Sequence, residues 1–67
     1  MMNPKPAEAA WISINTRVPN PGETVEVRER YTDKVQVAAF KDRPARRWEH
    51  KNMAYQFEYF AYWRPLP

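Results

Sequence analysis

A chain of 67 residues can form one small domain, and a domain of this size buries only about 60% of the surface its unfolded chain exposes, so its margin of stability is narrow. It holds no cysteine and a single histidine, which excludes disulfide frameworks and thiolate zinc sites and leaves the aromatic side chains, 15% of the residues, as the material for a core. The net charge of +3 is uneven: basic and acidic residues cancel through Phe40, and the whole excess lies from Lys41 onward, mostly in KDRPARRWEHK.

Residues 1–10, MMNPKPAEAA, carry two prolines and little that could anchor a core, and read as a flexible tail ahead of a single small β domain over 11–67. WISI alternates as a short strand, with Trp11 and Ser13 on one side and Ile12 and Ile14 on the other. NTRVPNPGE contains the only glycine, and Pro21-Gly22 is the strongest turn signal in the chain, because proline presets φ and glycine accepts φ > 0. ETVEVRER then reads as a half-buried strand, with Val25 and Val27 facing one way and Glu26 and Arg28 the other. YTDK is the expected hairpin connection, closed by the Asp33 carboxylate. VQVAAF is its antiparallel partner, with Val35, Val37 and Ala39 on one face and Gln36, Ala38 and Phe40 on the other.

KDRPAR is a loop, since Pro44 cannot donate to a sheet ladder. RWEHK is a short third strand centred on Trp48. NMAYQFEYFAYW satisfies two periods: as a strand it aligns Phe57, Tyr59, Ala61 and Trp63, and as a helix Tyr55, Tyr59 and Tyr62. Its dense Tyr, Phe and Trp favour a strand over about 57–63, with room for a short helical turn near 52–56. The expected fold is mainly β, a small antiparallel meander of three to four short strands.

The ending RPLP does not have the spacing of a polyproline ligand, because Pro65 and Pro67 stand two apart instead of three. It reads as an extended stop that lays Leu66 on a surface including Trp11 or Val18.

The two ends taken together resemble domain-of-unknown-function family 551. The matching residues are Trp11, Ile12, Arg17, Pro19, Gly22, Val25 and Val27 in the front half, Ala39 and Phe40 in the middle, and Trp63, Pro65, Leu66 and Pro67 at the back. The resemblance covers 11–67 and implies a small phage, prophage or bacterial protein with a phage-related accessory role. Where that family has glycine-rich, acidic loops, this chain has the basic and aromatic stretch KDRPARRWEHKNMAYQFEYFA.

The side-chain inventory argues against catalysis and against any cofactor or metal. One histidine, His50, with the hydroxyls Ser13 and Thr24 near strand ends, does not supply a held nucleophile and base. Binding is the expectation, first of a protein partner, host or phage, through Arg43, Arg46, Arg47, Trp48, Lys51, Tyr55, Tyr59 and Tyr62, residue types enriched at interface hot spots. Nucleic acid on the basic and aromatic segment 41–51 is the alternative, and a structural or vestigial domain the third reading. A homodimer through the same aromatic surplus is compatible with these readings. No apolar run approaches the roughly 20 residues that cross a bilayer, and the first residues lack the pattern of a signal peptide, so the expected setting is cytoplasmic and away from membranes.

Overall fold

The computed structural model describes residues 10–67; apart from the exposed Ala10, the tail expected over 1–10 lies outside the described residues. The elements are β1 (Ile12–Ser13), β2 (Thr24–Glu29), β3 (Val35–Lys41), β4 (Arg47–His50), β5 (Met53–Gln56), a 3₁₀ turn (Phe57–Tyr59) and β6 (Phe60–Pro65). They form one antiparallel sheet in the order β1-β6-β2-β3-β4-β5. The mainly β expectation holds, but the sheet has six strands where the sequence suggested three to four.

The additional strands are β5 and β1. Lys51 and Asn52 form a tight turn with Lys51 at φ 55°, and the chain reverses to pair His50 with Met53 and Trp48 with Tyr55. Residues 53–56 are therefore strand, and the helical turn expected there falls at Phe57–Tyr59 instead. At the front, Ile12 and Ser13 pair with Trp63 and Tyr62, so WISI joins the sheet as an edge strand.

The hairpin between β2 and β3 closes differently from the sequence reading. Asp33 takes φ 62°, a conformation that Asp tolerates, but the turn is tied by Thr32, whose hydroxyl donates to Glu29 and accepts from the Lys34 N–H. Pro21-Gly22 turns the chain as expected, with Gly22 at φ 86°. The Gly22 N–H donates to the Phe40 carbonyl at 2.6 Å, and the Asn20 N–H donates to the Glu23 carboxylate at 3.0 Å.

Alternation on β2 and β3 follows the pleat. On β3, however, the buried side is Ala38 and Phe40, and Val35 stands 49% exposed. Phe40 wins the core because it lies directly opposite Trp48, which lies opposite Tyr55, so large rings line up across three strands, Phe40 meeting Trp48 edge-on. In β6 strict alternation fails. The register slips against β2 between Arg28 and Glu29, so Phe60 pairs with Glu29 while Tyr62 pairs with Arg28. This extra residue places Phe60 and Trp63, three apart in sequence, both in the core.

The sheet is strongly curled. Trp48 on β4 and Phe60 on β6 are three places apart, about 14 Å if the sheet were flat, yet their ring centroids are 6.0 Å apart. Tyr55 on β5 likewise meets Phe60 at 5.3 Å. The hollow of the curl holds Val25, Val27, Ala38, Phe40, Trp48, Phe60 and Trp63, with Ile14 added from the segment after β1 and Val18 and Phe57 packed against them. Each buried indole finds an acceptor: Trp48 Nε1 donates to the Phe57 carbonyl at 2.9 Å, and Trp63 Nε1 to the Arg17 carbonyl at 2.8 Å. Leu66, expected to be laid onto Trp11 or Val18, is 44% exposed; the two ends are joined by Trp63 and by the Ile14 N–H bonded to the Ala61 carbonyl.

Candidate functional site

The eight residues singled out from the sequence do not form one surface. Arg43, Arg46 and Arg47 lie in and beside the loop between β3 and β4, and that loop is tied to itself. Arg47 Nε meets the Glu49 carboxylate at 2.9 Å, and its Nη1 donates to the Arg43 carbonyl at 2.6 Å and to the Ala45 carbonyl at 3.2 Å. Arg46 lies 3.6 Å from the Asp42 carboxylate and 5.5 Å over the Phe57 ring. Two of the three guanidiniums thus hold the loop's shape. Trp48 is corrected outright: at 0% exposure it is a core residue and cannot stack on a partner. Lys51 lies at the exposed turn between β4 and β5.

Tyr55 and Tyr59 stack at 5.1 Å on the rim of the curl, both against Phe60. The Tyr59 phenol is held above its ordinary pKa of 10.0, first by desolvation where its ring packs, then by the neighbouring Glu29 carboxylate, which it also hydrogen-bonds. Tyr62 is elsewhere, on the outer face of the sheet.

The outer face carries the best-defined constellation, and most of it comes from residues outside those eight. Tyr62, Arg28 and Val35 are directly opposite one another on β6, β2 and β3, a row of outward side chains. The Arg28 guanidinium lies 4.4 Å from the Tyr62 ring centroid and 5.3 Å from that of Trp11. Arg64 stands 4.0 Å over the Trp11 ring, with its Nε 2.7 Å from the Glu26 carboxylate. The next row is Arg64, Glu26 and Val37. Among the described residues Arg28 has only a loose counterion: its Nε is 4.0 Å from Asp33, makes no hydrogen bond to them, and is buried beneath the rings. Two aromatic plates and two arginines, flanked by Val35 and Val37, make an amphipathic surface of fixed geometry.

Sequence alternation does signal this face, since it puts Trp11 beside Ser13 and Arg28 opposite Val27. The signal was masked by the ordinary expectation that tryptophan belongs in a core. Nothing in the sequence alone brings Tyr62 to Arg28, because the pairing of β2 with β6 joins residues far apart in the chain.

At the other end of β2, an open depression of ≈ 240 Å³ is lined by Thr24, Ala38, Ala39, Lys41, Glu49, His50 and Lys51. Ser13 is four places from β4 in the sheet order, and its hydroxyl accepts the Asn15 N–H, so it does not serve His50. Among the described residues no group of three or more His, Cys, Asp or Glu side chains is placed to hold a metal ion, and no helix is long and apolar enough to cross a membrane. Comparison of the chain with protein-family models, with curated proteins and with solved structures returns no match.

Proposed function

We propose that this chain is a non-enzymatic binding protein whose outer sheet face docks an acidic, partly apolar protein surface. The observation that carries the proposal is the Arg28 guanidinium lying over both the Trp11 and Tyr62 rings with Val35 exposed beside it. Aromatic and arginine side chains held rigid before contact lose little rotamer entropy on binding, which is where interface affinity concentrates. Among the described residues the charge of Arg28 is met only by Asp33 at 4.0 Å, and the chain as a whole carries +3, so the complementary partner presents carboxylates to this row.

Nucleic acid is disfavoured as the partner by the internal pairing of the basic loop, since Arg46 meets Asp42 and Arg47 meets Glu49 in place of a continuous stripe that tracks a phosphate backbone. The resemblance of both chain ends to domain-of-unknown-function family 551 belongs to the same proposal. It supports a phage-related accessory role in which the partner is a host or phage protein in the host cytoplasm, an anti-defence or host-takeover target among them.

The test is affinity capture from bacterial lysate with the wild-type chain, Arg28→Glu, Tyr62→Ala and the control Lys34→Ala, followed by binding measurements with the purified partner. Capture retained by the control and lost at least tenfold with Arg28→Glu and Tyr62→Ala is expected. A partner bound equally by all four proteins, or one displaced only by substitutions in the loop 42–46, refutes the assigned face.

A further inference from the structure

The depression at the start of β2 has a chemistry of its own, separate from the face around Trp11. Thr24 and Arg28 are four residues apart on β2, so the two places are about 14 Å from each other. Lys41, at the end of β3, Lys51, in the turn after β4, and Thr24, at the start of β2, line the depression; His50 lines it too, but shares the inward side of β4 with Trp48. Its floor is open because Ala39 brings only a methyl group. The carboxylate that lines it, Glu49, opposite Ala39, is held by Arg47 at 2.9 Å. Among the described residues no carboxylate lies within 4.0 Å of either lysine ammonium. Two lysines and a threonine thus line one small open space whose carboxylate is already engaged by an arginine.

We propose that this depression is a binding site for a phosphate dianion, free or as the monoester of a small molecule, with Lys41 and Lys51 supplying the charge and Thr24 supplying a hydrogen bond. A compact dianion matches two lysines on one small depression and fits within ≈ 240 Å³. A polymer is the poorer match, because the neighbouring Arg46 and Arg47 are committed to Asp42 and Glu49 and do not extend the positive charge away from the site.

The experiment is a nitrogen-15 NMR titration of the full chain with inorganic phosphate, with a nucleoside monophosphate, and with sodium chloride at matched ionic strength. A single-stranded oligonucleotide forms a fourth arm. Saturable shifts of the Lys41, His50 and Lys51 amides with phosphate or the monoester, at a Kd of about 1 mM or below, are expected. The Trp11 indole signal stays in place. Lys41→Gln with Lys51→Asn, the latter chosen because Asn accepts the left-handed backbone of residue 51, weakens the binding about tenfold or more. Whichever of the two phosphate probes binds more tightly identifies the source. Shifts that do not saturate, or that chloride reproduces, overturn the proposal. Equal binding by a double variant whose spectrum remains that of the folded chain also overturns it, as does tighter binding of the oligonucleotide than of either phosphate probe.

Discussion

Replacing Trp63 with Phe tests how the two ends of the chain are joined. Trp63 is 3% exposed, pairs with Ile12 and with Val27 on its two sides, and donates from Nε1 to the Arg17 carbonyl at 2.8 Å. Phe retains a ring in the core but removes the donor. Because Arg17 is at the surface, its carbonyl can regain water, so the lost bond costs the ordinary net of about 0.5–1.5 kcal/mol. The void left by the smaller ring adds about 1 kcal/mol. A total of about 1.5–2.5 kcal/mol is a large part of the roughly 3–10 kcal/mol expected for a domain of this length. At about 4–8 °C per kcal/mol, Tm falls by roughly 6–20 °C, read by thermal unfolding followed by circular dichroism. Leu66→Ala is the control: Leu66 is 44% exposed, and its loss costs no more than about 0.5 kcal/mol. A Trp63→Phe shift as small as that of Leu66→Ala refutes the role of Trp63 in joining the two ends and returns that role to Leu66 and the prolines beside it.

Three further outcomes follow from the local geometry. Gly22→Ala meets no atom within 4 Å of the new Cβ, so its cost is the φ of 86° alone, about 1–2 kcal/mol by urea denaturation. Arg47→Ala, which cuts the bonds to the Arg43 and Ala45 carbonyls and to Glu49, costs about 1–2 kcal/mol, whereas Arg43→Ala is neutral within about 0.5 kcal/mol in the same assay. The Tyr59 phenol titrates above 10.0 by ultraviolet difference absorption, and Glu29→Gln brings it back towards that value. Its raised pKa means that the folded chain holds this proton more tightly than the unfolded one. The associated stability is complete below about pH 10 and lost as pH rises through the folded value.

The β class, the Pro21-Gly22 turn and the alternation of β2 and β3 were legible because each rests on local chemistry, a fixed φ or a two-residue period. The β4–β5 hairpin was not, because Lys51 takes a left-handed φ that lysine does not advertise. Nor was β6, where a slip of one residue sends both Phe60 and Trp63 inward and breaks the period on which the reading of 57–63 relied. The basic loop drew attention as a binding surface because sequence displays charge and hides pairing. In the fold, Arg47 and Glu49 meet across a strand pleat and Arg46 turns back to Asp42. Conversely Trp11, Arg28 and Tyr62 are separated by 17 and 34 residues, and only the β1-β6-β2 order gathers them.

The three tryptophans offer a direct probe of the docking face. Trp48 and Trp63 are buried with their indole N–H groups bonded inside the fold, and Trp11 is half-exposed on the outer face between the arginines. Nitrogen-15 spectra recorded as the captured partner is added therefore read the site at three indole signals. The Trp11 indole is expected to shift or broaden first, together with the Arg28 and Tyr62 amides, while the Trp48 and Trp63 indoles stay in place. A stationary Trp11 signal with changes centred on residues 42–47 would contradict a docking face around Trp11.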